Sequence, residues 1–244
     1  FNFSPLRNIS YLCYMSNSRT FHSLHLDIST ATGNRICYII LPECLKETEH
    51  SWLDHMAETY DTNMVVISGL NWETDLTPWK APGVKGGEFE GKAKSFLDRL
   101  KEDLFVNIES SLRLSNPKRF LIGVSLSGLF GTWAAFVCSR FAGVGSVSGS
   151  LWYDGFTEWI STKENTTCTK FYFSLGEKEK EGKNPRLSKV EVATLEVIEH
   201  IKTLGASTHF EHNEGNHFGP LIERIEKAVV WTLSEYRHTE STVL

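Results

Sequence analysis

The run Phe120-Leu121-Ile122-Gly123-Val124-Ser125-Leu126-Ser127-Gly128-Leu129-Phe130 changes character at its middle. Up to Gly123 it is apolar and short enough for a buried strand. Just after Ser125 it becomes helix-forming and continues through Trp133, Ala134, Ala135 and Phe136. A serine caught between strand and helix, with tiny residues two places to either side, is the layout of a nucleophile elbow. The cause is crowding: the chain reverses so sharply that the serine takes a strained backbone conformation and only small side chains fit against the neighbouring backbone. Here the flanks are Gly123 and Ser127, so serine replaces the second glycine of G-x-S-x-G. Ser127 is the weaker nucleophile candidate, because its own flank two places on is Leu129, too large for such a turn.

An activated serine needs a base, and the base needs an acid to orient it. Downstream lie His200, His209, His212, His217 and His238. His217 sits in Glu214-Gly215-Asn216-His217-Phe218-Gly219, a glycine-bracketed loop between the last predicted strand and the last predicted helix. That position puts an imidazole over the C-terminal edge of a parallel sheet, where the elbow also opens. His209 falls within the strand and His200 within a helix, where structural roles are expected, and His212 at the strand's end is second choice. The acid is expected in Gly176-Glu177-Lys178-Glu179-Lys180-Glu181, with Glu179 ranked ahead of Glu177. An oxyanion is expected to draw one N–H from Leu126, at the helix N-terminus, and a second from the turn after the strand Arg35 to Leu41. Pro42 has no N–H, so Glu43 or Cys44 must supply it. Such a site needs neither metal nor organic cofactor.

The rest of the chain reads as strands alternating with helices. Phe21 to Ile28 and Arg35 to Leu41 read as an opening antiparallel hairpin around the turn of residues 29–34, after an irregular extension over residues 1–20. Trp52, Leu53, Met56 and Tyr60 have helical spacing, and Met64 to Ser68 is β-branched and apolar, as a strand buried on both faces would be. Residues 71–91, rich in Gly, Pro and Trp, read as a long loop. Ala93 to Ile108 is an amphipathic helix leading into the nucleophile strand. Val144 to Ser148 and Lys170 to Leu175 are further strands, Val190 to Leu204 is helical, Ser207 to Glu211 is the last strand, and Leu221 to Tyr236 the closing helix. This is one α/β domain over residues 1–244, with a mostly parallel twisted sheet covered on both faces.

Composition narrows the function classes. The chain has 244 residues, 41% of them hydrophobic, enough for a large single core. A net charge of −5 argues against a nucleic-acid partner, which selects for a basic face. No apolar run reaches the length of a membrane span. The first residues lack the layout of a signal peptide. Five scattered cysteines, Cys13, Cys37, Cys44, Cys138 and Cys168, form no C-x-x-C pair or zinc spacing and read as reduced thiols of a cytoplasmic protein. Nothing in the sequence speaks to oligomeric state.

Taken together, the motifs resemble the esterase family of α/β-hydrolases that includes enterobactin-type siderophore esterases, feruloyl esterases, S-formylglutathione hydrolases and mycolyltransferases. The matching pieces are Asp75-Leu76-Thr77-Pro78, Gly86-Gly87, Gly123 to Phe130, Ser148-Gly149-Ser150-Leu151-Trp152-Tyr153, Leu175 to Glu179 and Gly215-Asn216-His217. The resemblance implies an α/β-hydrolase fold, Ser125 as nucleophile, His217 as base and an acid in the Gly176 loop. The chain departs from the family at Leu41-Pro42-Glu43, where Leu-Asp-Gly is common, and at Ser127.

The short stretch between Trp152 and Cys168 leaves room for a minimal cap and predicts an open, shallow site. Trp72, Trp79, Trp152, Tyr153 and Phe156 lie in loops that could border it, suited to a flat acyl or aryl group of a small-molecule ester. The expected activity is carboxylic-ester hydrolysis. An acyltransferase on the same residues and a catalytically silent binding module are the alternatives.

Overall fold

The computed structural model describes residues 18–21 and 23–234. Its main sheet has eight strands in the order β1-β2-β4-β3-β7-β8-β9-β10. In chain order these are β1 (Ser18–Phe21), β2 (Leu24–Ser29), β3 (Arg35–Ile40), α1 (His50–Tyr60), β4 (Asn63–Ser68) and α2 (Trp72–Asp75). A small antiparallel pair, β5 (Lys80–Pro82) and β6 (Glu88–Glu90), follows. Helices α3 (Ala93–Arg99) and α4 (Phe105–Ser111) are continuous through one π-helical turn, Leu100–Leu104. Then come β7 (Lys118–Val124), α5 (Leu126–Val137), β8 (Phe141–Val147), α6 (Phe156–Ser161), β9 (Lys170–Gly176), α7 (Val190–Thr203), β10 (Ser207–Asn213) and α8 (Leu221–Leu233).

From β4 to β10 all neighbours run parallel, while β1 and β2 are antiparallel additions. The period of two along a strand sorts side chains into two cores. In β3, Ile36, Tyr38 and Ile40 join a layer with Phe96, Leu104, Phe130 and Ile198, contributed by α3, the π turn, α5 and α7. Cys37 and Ile39 point the other way, to Leu53 and Met56 of α1 and Ile225 and Val229 of α8. Strand β4 is buried at every position, which explains its unbroken apolar sequence.

The expected N-terminal hairpin is present, but its strands differ from the expected pair. Strand β1 takes residues 18–20 of the expected irregular extension together with Phe21 of the expected first strand and pairs with β2, and β2 then pairs antiparallel with β4, not with β3. Five residues separate β2 from β3, and β3 enters the sheet beyond β4. The long loop of residues 71–91 carries α2 and the β5–β6 pair, short elements that composition masked. Helix α6 lies in a stretch to which no element was assigned. Among the described residues the cysteines are free, with Cys37, Cys138 and Cys168 buried and Cys44 exposed. Cys13, Tyr236 and His238 lie outside the described residues. No helix among the described residues is long and apolar enough to cross a membrane.

Candidate active site

Ser125 stands between β7 and α5 with φ 54° and ψ −120°, a conformation that L residues rarely adopt. Its backbone is held by the Ser125 N–H to the Val147 carbonyl at 3.0 Å and by the Ser150 N–H to the Ser125 carbonyl at 3.0 Å. The small flanks are explained by contact. A Cβ at Gly123 would sit 2.3 Å from the Ser127 carbonyl group. Ser127 is fully buried and its hydroxyl is used by the backbone, donating to the Ile40 carbonyl and accepting from the Val124 N–H at 2.7 Å. It knots the turn to β3 and is shut away from any substrate.

The imidazole of His217 faces Ser125, with Nε2 3.1 Å from Oγ. Its other nitrogen, Nδ1, donates to Glu179 Oε2 at 2.8 Å. A carboxylate accepts only, so the proton is on Nδ1 and Nε2 presents a lone pair to the serine hydroxyl. Glu179, not Glu177, is the carboxylate that meets the ring. Glu177 is exposed, and its N–H ties to the Asn213 carbonyl at 2.9 Å. The approach of acid and base is tight: a side chain at Gly176 would collide with the Gly215 carbonyl at 2.6 Å.

Glu179 has only 5% of its side chain exposed. Burial opposes its ionisation, but hydrogen bonds from His217, Ser148 and the Gly176 N–H outweigh this and hold its carboxyl below the ordinary value. The Gly176 N–H and Ser148 hydroxyl donate to Oε1 at 2.6 and 2.7 Å. Ser148 is itself a positive-φ residue, at 48°, at the end of β8. Beneath it lies buried Arg224 of α8, which donates to the Glu214 carbonyl at 2.6 Å and stands 4.0 Å from Glu179 Oε1. The guanidinium therefore ties the base of the His217 loop to the acid. Ser148 and Ser150 belong to a motif quoted above without a role, and Arg224 is absent from the sequence reading, because a helical Arg carries no local signal.

The other downstream histidines among the described residues have structural partners. His200 donates to the Lys163 carbonyl at 2.9 Å, His209 packs against both Tyr172 and Trp231, and His212 lies 3.5 Å from Glu191. Leu126 opens α5, and Glu43 and Cys44 lie in an exposed turn after β3.

Tyr153 and Phe156 are core residues, at 2% and 0% exposure, and Tyr153 donates to the Trp79 carbonyl at 2.5 Å. They are drawn inside by ring packing with Trp79, whose indole N–H donates to the Asp154 carbonyl at 2.9 Å. Trp72 is half-buried against both cores. Trp152 is half-buried with the Arg186 guanidinium 5.3 Å over its ring. The exposed aromatic next to His217 is Phe218, at 89%, which sequence reading passed over. A concavity of about 560 Å³ lined by Lys118, Arg119 and Arg140 lies at the starts of β7 and β8, the sheet end opposite Ser125.

No protein-family model matches the chain. The uncharacterized protein YbbA of Bacillus subtilis (strain 168) is 26% identical over 191 residues, covering 72% of this chain and 76% of that protein. Similar solved structures include an IroE-like serine hydrolase from Shewanella oneidensis, at TM-score 0.68 and 18% identity, covering 84% of this chain and 74% of that one. The siderophore hydrolase EstA from Aspergillus nidulans matches at TM-score 0.66 and 18% identity, covering 96% and 98%. The BES protein from Bacillus cereus matches at 0.68 and 16%, covering 96% and 100%.

Proposed function

On the premise that this chain has an α/β-hydrolase fold, we propose that it is a serine hydrolase of small-molecule carboxylic esters. The observation that carries this reading is the use of both ring nitrogens of His217. One binds a buried carboxylate and the other meets a strained serine hydroxyl at 3.1 Å. Ser125 Oγ attacks the ester carbonyl while His217 Nε2 takes its proton. Glu179 holds the tautomer and stabilises the imidazolium that forms. Negative charge on the former carbonyl oxygen falls to the Leu126 N–H and to an N–H of Glu43 or Cys44, each donor worth about 3 kcal/mol in reactions of this kind. His217 then protonates the departing alcohol. Water, activated by the same nitrogen, releases the acid.

Siderophore or aryl esters are the substrate class we favour, because structural neighbours include siderophore hydrolases and a ferulic acid esterase. Phe218, and Trp152 two residues beyond Ser150, offer aromatic surface to such groups. Trp72 and Trp79 stand further down the ranking because their rings are engaged in packing.

The test is a fluorophosphonate probe together with p-nitrophenyl, feruloyl and catecholate-lactone esters. Covalent labelling at Ser125 and loss of turnover in Ser125→Ala are expected. Acyl transfer to added alcohol faster than hydrolysis would move the protein to the acyltransferases. No labelling, with unchanged ligand affinity in Ser125→Ala, would make it a binding scaffold.

A further inference from the structure

The turn leading out of β3 must supply the second oxyanion donor, yet residues 42–46 belong to no helix or strand. Ile40 pairs in register with Gly123, two residues before Ser125, so the turn out of β3 leaves the sheet on the strand next to the elbow. Leu41 N–H still reaches the Ile67 carbonyl at 3.0 Å. Among the described residues, the next backbone hydrogen bond along the turn is from Leu45 N–H, at 3.3 Å, to Oδ2 of Asp27.

Asp27 belongs to β2, whose backbone pairs with β1 and β4, so it reaches this turn by its side chain, which is 1% exposed. Its other oxygen, Oδ1, accepts from the Ser18 hydroxyl and lies 3.3 Å from His25 Nε2 and 3.2 Å from His50 Nε2. His50 is the first residue of α1, so one carboxylate grips the linker at Leu45 and again at His50. Between them the Lys46 N–H donates to Glu49 at 2.8 Å. Burying a carboxylate costs several kcal/mol before its partners are counted, and an apolar residue could fill the same volume without that cost. What the carboxylate adds is a directed acceptor one residue beyond Cys44.

We propose that Asp27 is a positioning residue for the oxyanion pocket: by accepting the Leu45 N–H it fixes the turn whose Glu43 or Cys44 N–H meets the developing charge. The inference rests on the reading of Ser125 as nucleophile. Asp27 itself touches no substrate.

The experiment compares wild type, Asp27→Asn and Asp27→Ala on a p-nitrophenyl ester, with circular dichroism to confirm folding. Asp27→Ala should lower kcat on the order of ten-fold, less than deletion of a donor costs. KM should stay within about two-fold of wild type, since the turn acts on the transition state and not on ground-state binding. Asp27→Asn keeps an acceptor oxygen in the same place and should lose only about three-fold in kcat. Affinity for a boronic acid that forms a tetrahedral adduct on Ser125 should fall in step with kcat. Wild-type kcat in both variants, a loss confined to KM, or equal losses in both would overturn the proposal. If Asp27→Ala does not fold, Asp27→Asn decides alone: reduced kcat at constant KM supports the proposal, unchanged kcat overturns it. Wild type that turns over no ester and resists the fluorophosphonate would instead defeat the hydrolase reading beneath it.

Discussion

Two clusters in this molecule each combine a serine, a histidine and a carboxylate. Ser125, His217 and Glu179 lie at the C-terminal edge of the sheet, and Ser18, His50 and Asp27 lie near its antiparallel end. The difference is in the ring nitrogens. His217 has the carboxylate on Nδ1 and the serine on Nε2, so a proton taken at one nitrogen is balanced at the other. In the second cluster Ser18 and Asp27 both meet Nε2 of His50, at 3.4 and 3.2 Å, and the Ser18 hydroxyl donates directly to the carboxylate. No relay runs through that ring. The backbone differs as well: Ser125 is at positive φ at the start of a twelve-residue helix, whereas Ser18 begins a strand. Composition makes a cluster, but topology sets which atoms of it face one another.

The largest effect should separate the two histidines. His217→Gln is expected to lower kcat by up to about 10⁶-fold, as loss of a triad base does, while His50→Gln stays within about three-fold. Steady-state kinetics on one activated ester checks both, and equal losses would erase the distinction. Next come the acids. Glu179→Gln should reduce kcat by at least about 10²-fold, because an amide no longer enforces the Nδ1–H tautomer. Arg224→Met should lower unfolding free energy by about 2 to 3 kcal/mol, below the range for a tight buried pair because the guanidinium is 4.0 Å from Glu179. Urea unfolding measures it, and a stability equal to wild type would show that the arginine does not anchor the loop.

The smallest effects are in pH. Burial opposes ionisation of Asp27, but hydrogen bonds from Ser18, His50 and Leu45 outweigh it and keep its carboxyl below the ordinary value, as at Glu179. Both groups therefore contribute stability that is present above the unfolded pKa near 4 and lost as pH falls through the folded value. Tm of Asp27→Asn should fall less steeply than wild type below about pH 4. For His50, burial opposes protonation, but the hydrogen bond and charge of Asp27 raise its pKa. That stability is full below about pH 6.5 and is lost as pH rises through the folded value, so the Tm gap between wild type and His50→Gln should narrow on the alkaline side.

Much of the layout was legible because its causes are local. The strand-to-helix switch around Ser125 leaves its mark in apolar periodicity and in the small residues that the turn demands. The all-apolar β4 announces burial on both faces. What escaped had causes far apart in sequence. Nothing near Tyr153 says that its hydroxyl will find the Trp79 carbonyl, 74 residues away. The pairing of β2 with β4 depends on β3 entering the sheet one place further in, which hydrophobic pattern does not encode.

By itself, then, the sequence determined an alternating α/β chain, a serine at a forced turn and a histidine in a glycine-bracketed loop, since each follows from steric rules acting over a few residues. Only the tertiary structure chose between Glu179 and Glu177, brought Ser148 and Arg224 beneath the acid, and turned Asp27 towards Leu45. Those choices are made by side chains meeting across 10 to 76 residues of chain, where the burial of a charge is tolerable only if distant donors arrive together.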